Sequence, residues 1–198
     1  MNSKLNYWLD TEFIEDGKTI DLISIGIVCE DGREYYAINY DCDFEKANEW
    51  VKKNVLNQLP KKPLPGIHLK RSVHNWRNKQ VIAHEVAEFC GCEIIEIESP
   101  SMEEILRGNI WDIRLKEGVS KPVFWGYYSA YDWVVLCQLY GAMIDQPKGF
   151  PMYCNDIKQL CDYLGNPQLP EQGKGEHNAL EDARWNKKAW EFLIDYEH

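Results

Sequence analysis

Four carboxylates and one histidine define the chemistry open to this chain. They are Asp10 and Glu12 in LDTEF, Asp132 in SAYDW, and His177 with Asp182 in HNALEDA. Residues two apart on a strand project to one face, so Asp10 and Glu12 would stand side by side. Like charges held that close repel unless a cation lies between them. Hard oxygen ligands without soft ones suit Mg²⁺ or Mn²⁺. A histidine five residues before the last aspartate adds a group of a type that titrates near neutral pH. Together they predict a two-metal site for phosphodiester cleavage, with histidine as the base.

Each motif also has a plainer explanation. Asp10 and Glu12 could belong to a surface turn. Their apolar neighbours Trp8, Leu9, Phe13 and Ile14 argue against that, because charges embedded in buried sequence need compensation. Ser129-x-x-Asp132 spells a capping box, which would make Asp132 a helix start and nothing more. A carboxylate in a first helical turn is also held ionised by the helix dipole, so both roles are compatible. Asn178 can cap a last helix and leave His177 solvated. The preceding Gly-rich stretch GKGEH and the acidic first turn favour a site instead.

The elements that must position these groups follow from periodicity. The pattern predicts strands over 5–10, 20–28 and 33–39, with Asp31-Gly32 as the hairpin turn. Helical periods fall over 44–56, with Trp50 and Leu56 facing inward, and over 79–90. Pro60, Pro63, Pro65 and Gly66 predict a loop over 59–67. A strand is expected over 122–126, then helices over 129–140, 155–164 and 178–194. Gly165 is the stop signal of the second of these. The segment at about 91–121 reads as an insertion, and Ser101-x-x-Glu104 suggests a short helix within it. The expected fold class is α/β: one domain over 1–198, with a mixed sheet flanked by helices.

The chain has 198 residues and 44% hydrophobic content, enough for one full core. No apolar run is long enough to span a membrane, and MNSKLNYW does not resemble a signal peptide. Seven scattered cysteines without a CxxC pair predict reduced thiols, a cytoplasmic location and no structural zinc. The net charge of −10 is unexpected for a protein that binds a polyanion. Yet Lys46–Lys79 carries nine basic residues and one acidic residue, against 13 basic and 31 acidic elsewhere. That segment is the candidate phosphate-backbone surface, or else a solvated basic face.

The order Asp-x-Glu, Asp, His-x4-Asp resembles the DEDDh 3'-5' exonucleases of the ribonuclease H-like superfamily. YWLDTEFIEDGKTIDLISIGIV, the Trp-Val-x-x-x-Val-Leu that follows, and GYYSAYDWVVLCQLYG are similar to its mycobacterial poly(A)-specific exoribonuclease branch. The resemblance implies a ribonuclease H-like sheet of three antiparallel strands followed by parallel ones. It implies that Asp10, Glu12, Asp132 and Asp182 hold two Mg²⁺ ions, replaceable by Mn²⁺, and that His177 is the general base. The implied partner is the 3' end of single-stranded RNA, with adenylate-rich ends favoured. No membrane is involved, and a homodimer stays open. Phe13 and Arg77 are the candidate substrate contacts. Many relatives carry Thr where this chain has Phe13, which puts the terminal-nucleotide contacts in question. A DNA exonuclease of the same chemistry and an inactive nucleic-acid-binding module are the alternatives.

Overall fold

The computed structural model describes residues 3–64, 75–102, 110–173 and 175–196. Strands β1 (Lys4–Glu15), β2 (Ile20–Cys29) and β3 (Glu34–Asn39) form an antiparallel meander. The two-residue strand β4 (Trp76–Arg77) joins β3 in parallel. On the other side β7 (Lys121–Gly126) runs parallel to β1, and β8 (Asn155–Asp156) runs parallel to β7. The sheet order is β4-β3-β2-β1-β7-β8. This is the mixed sheet of a ribonuclease H-like fold, with its antiparallel strands first.

Helices cover both faces. Helix α2 (Lys79–Phe89) and helix α3 (Ala130–Cys137) close one face over Tyr7, Leu9, Leu22, Ile25, Ile27 and Phe124. Leu22 and Ile25 share this face although they are three residues apart. A register shift opposite Glu12 and Phe13 leaves Ile23 as the extra residue and resets the alternation. On the other face, helix α1 (Glu49–Asn54) covers Ile14 and Ile23. Helix α4 (Ile157–Tyr163) and the 18-residue helix α5 (Ala179–Tyr196) cover Trp8. Burying these apolar side chains contributes roughly 1.5–3 kcal/mol each.

Gly26 sets how closely α5 lies on the sheet. It pairs with Asp10 across β1 and β2, and a Cβ there would stand 2.2 Å from the Ala179 carbonyl oxygen. Only a residue without a side chain lets the start of α5 rest on the strand beside Asp10.

Several expected elements differ in extent. Strand β1 continues to Glu15, well past residue 10. The helix expected over 44–56 is split into a 3₁₀ turn at Phe44–Lys46, α1, and a second 3₁₀ turn at Leu56–Gln58. Leu56 does pack against the cluster under α1, but Trp50 points outward and is 55% exposed. The helix expected over 155–164 begins at Ile157, because Asn155 and Asp156 extend the sheet. The 91–121 segment holds a separate antiparallel pair, β5 (Cys92–Glu96) and β6 (Trp111–Leu115). Glu104 of the expected capping box lies outside the described residues, as does the 65–67 end of the proline-rich loop. All seven cysteines are free thiols.

Candidate active site

Asp10 and Glu12 stand on the α5 face of β1, as the period of two requires. Pairing between β1 and β7 stops at Trp8 and Trp125, so beyond that point the β7-facing edge of β1 has no neighbouring strand among the described residues. Side chains from two helices satisfy its backbone. Asp132 of α3 accepts through Oδ1 from the Thr11 amide at 2.9 Å and the Thr11 hydroxyl at 2.6 Å. Asn186 of α5 donates to the Leu9 carbonyl at 2.8 Å. The fold thereby brings Asp132 to the residue between Asp10 and Glu12.

The capping-box expectation for Asp132 is corrected here. Ser129 makes no side-chain cap, and its amide donates instead to Asp156 at 3.0 Å. Asp132 is committed to the strand. Asn178 does cap α5 as expected, accepting from the amides of Leu180 and Glu181.

Asp182 lies in the first turn of α5 and is buried. Its Oδ2 accepts from the His177 amide at 3.0 Å, and Gln172 donates to its Oδ1. His177 has a left-handed backbone, with φ +68°. Its imidazole and the carboxylates of Glu12 and Asp182 each offer a ligand atom within 4.8 Å of the others. Asp10, His177, Asp182 and Gln172 line a cavity of about 300 Å³, closed on another side by Tyr127 and Trp185. The Tyr127 and Trp185 rings meet edge to face at 5.1 Å.

The electrostatics are those of crowded carboxylates. Burial raises Asp10 well above the usual carboxylate range, and Asp132, Asp182 and Glu12 push it further up. Glu12 is pushed up to about 8 by burial, then by Asp182 and Asp132. Burial also raises Asp182, to about 6, against the lowering effect of the His177 amide. Asp132 is raised by burial and partly relieved by its two bonds from Thr11. Among the described residues no hydrogen bond lowers Asp10 or Glu12. Carboxylates crowded in this way, two of them without donors among the described residues, fit a divalent cation, whose charge would offset their mutual repulsion.

The two expected substrate contacts are placed elsewhere. Phe13 packs against the main core on the α3 side and stacks on Tyr131, with centroids 5.7 Å apart and planes at 19°. Arg77 lies on β4, three strands from β1, with its guanidinium buried against Glu85 at 3.0 Å. It lines a different cleft of about 580 Å³. Thr11, Gln172, Tyr127, Trp185 and Asn186 went unrecognised as site residues in the sequence. Gln172 carried a partial signal, since it sits in the Pro/Gly-rich loop before His177.

The model of the Rv2179c-like 3'-5' exoribonuclease domain matches residues 5–194. The chain is 38% identical over 180 residues to the 3'-5' exoribonuclease Rv2179c of Mycobacterium tuberculosis strain H37Rv, covering 91% of this chain and 88% of that protein. It has the same identity and coverage to the 3'-5' exoribonuclease MT2234.1 of strain CDC 1551. With its sheet, its carboxylates and this likeness taken together, the chain belongs to the Rv2179c-like family of 3'-5' exoribonucleases.

Proposed function

We propose that this exoribonuclease releases nucleoside monophosphates from the 3' end of single-stranded RNA by metal-dependent hydrolysis. Asp10, Glu12, Asp132 and Asp182 would hold two divalent ions, Mg²⁺ or in its place Mn²⁺. The observation that carries this reading is the state of Asp10 and Glu12: raised carboxylates with no donor among the described residues, beside a histidine. Bound Mg²⁺ would supply a water of lowered pKa, neutralise the phosphate and stabilise the departing 3'-oxygen.

The chain's own residues do the rest. Asp10, Glu12 and Asp182 fix the place where the water is activated, and Asp10 also reaches toward the leaving group. Asp132 spends Oδ1 on Thr11 and keeps Oδ2 for a metal or its water. His177 accepts the water's proton on a ring nitrogen, since its imidazole lies beside Glu12 and Asp182. Tyr127 and Trp185 offer aromatic surface to a terminal base of any identity. Adenylate preference rests on the resemblance to the poly(A)-specific branch alone.

The test is digestion of matched RNA and DNA oligonucleotides with free or blocked 3' ends. Stepwise mononucleotide release from free RNA ends, dependent on Mg²⁺ and abolished by Asp10→Ala or Asp182→Ala, is expected. Full activity in excess EDTA would overturn the metal assignment. Faster release from DNA would make it a DNA exonuclease.

A further inference from the structure

His177 sits in a turn between the end of the Gly-rich loop and α5, and the Asn178 amide closes that turn on the Gly175 carbonyl. A left-handed backbone at a non-glycine residue has a free-energy cost, so its surroundings must hold it there. Two contacts from outside the carboxylate cluster do so. The indole of Trp50 meets the imidazole edge to face, with centroids 4.9 Å apart and planes at 76°. Gln58 donates through Nε2 to the Glu176 carbonyl at 3.0 Å, one residue before His177. Both residues belong to the stretch formed by α1 and the 3₁₀ turn after it.

Trp50 is 55% exposed, so burial in the core is not what the indole contributes. An edge-to-face partner fixes the plane of the ring it touches. A general base is effective only while its lone pair points at the proton it removes.

We propose that Trp50 is a positioning residue for His177, and that α1 with Gln58 forms a latch holding the histidine turn over the carboxylates. This rests on His177 being the base. The proposed metal ligands are carried by β1, α3 and α5, which pack on the sheet independently of the latch, so releasing it acts first on the imidazole.

The experiment compares Trp50→Ala, Trp50→Phe and Gln58→Ala on an RNA oligonucleotide with a free 3' end and Mg²⁺. Trp50→Ala should lower kcat about ten- to hundredfold, the effect of misplacing a reacting group by about 1 Å. KM and Mg²⁺ affinity should stay within about twofold of the starting protein. Trp50→Phe should recover most of kcat, because a phenyl ring can make the same edge contact. Gln58→Ala should show a smaller loss in the same direction, which carries the test if Trp50→Ala folds poorly. In a His177→Ala background, adding Trp50→Ala should change kcat no further. A raised KM with unchanged kcat would overturn the latch and assign the indole to the RNA strand. An additional loss in the His177→Ala background would overturn it as well. Full turnover of His177→Ala by itself would remove the base and the latch together. Normal kcat in Trp50→Ala beside a crippled His177→Ala would remove the latch alone.

Discussion

Glu12 and Asp10 are half-buried acids crowded by other carboxylates, with no hydrogen-bond donor on either among the described residues. That makes the stability of the metal-free protein depend on pH in a defined direction. The folded protein holds the Glu12 proton up to about pH 8, whereas the unfolded chain releases it near the ordinary glutamate value of about 4.3. The folded state therefore binds more protons between these limits, and its stability falls as pH rises through that window. Asp182 acts in the same direction, with its loss running from the ordinary aspartate value of about 3.9 up to about pH 6. In EDTA, the melting temperature should be higher at pH 6 than at pH 8, and Glu12→Gln should flatten that dependence. Added Mg²⁺ should raise it more at pH 8. A melting temperature that climbs steadily from pH 6 to 8 in EDTA would contradict the repulsion. His177 carries a separate expectation: His177→Ala should cut turnover by roughly 10²–10⁴ while Mg²⁺ still binds, as measured by titration calorimetry. Phe13 shows what alternation alone could decide. It follows Glu12 on a strand that continues, so it faces the core and Tyr131 rather than the carboxylates.

The elements that carry the site pack closely against one another, and the contact at Gly26 is the tightest. Gly26→Ala would place a methyl group against backbone atoms of Ala179 and Leu180, which cannot rotate away. The first turn of α5 would lift, carrying Asp182 away from Asp10. We expect a loss of about 1–3 kcal/mol in stability, together with weakened Mg²⁺ binding. Thermal melts and Mg²⁺ titration of the variant check both, and unaltered Mg²⁺ affinity would show that the helix start is free to adjust. The long periodic elements were legible in the sequence: β2, β3, α2 and α5 lie within a residue or two of where their patterns put them. Strands β4 and β8 have two residues each, too few to show a period. Ser129-x-x-Asp132 matched a capping box in spacing, but Asp132 found a stronger demand across space, at the unpaired edge of β1. The carboxylates and histidine stood out because few arrangements explain acids in apolar sequence. Tyr127, Trp185 and Asn186 did not, since an aromatic or an amide near a helix fits any core.

Charge distribution ties the parts into one molecule. Two basic residues of the 46–79 segment are engaged within the fold. Arg77 is buried against Glu85, and the Lys62 ammonium lies over the Tyr40, Phe44 and Trp76 rings. Lys70 and Arg71 lie outside the described residues. Of the others, Lys52 and Lys53 lie on the same short helix whose Trp50 touches His177. Lys52 makes a surface ion pair with Glu49, worth little in water. A strand of RNA guided by these lysines would be delivered beside the carboxylates of a chain whose net charge is −10. Reversing both to Glu should weaken binding of long RNA and reduce the slope of log affinity against log salt by about 1.4, at roughly 0.7 per contact. A mononucleotide should bind as before. An unchanged slope would leave the two lysines as a solvated face.

The bond from Asp132 to Thr11 also has a consequence over evolutionary time. Asp132 serves the sheet, because without it a buried amide and hydroxyl lose their acceptor. Asp10 and Glu12 serve no such purpose, and replacing them relieves repulsion. A lineage that abandoned RNA cleavage would therefore shed Asp10 and Glu12 early and keep Asp132 long afterwards. Among descendants of this fold, an intact aspartate at 132 would testify to folding, and the strand pair would be the better witness to the proposed chemistry.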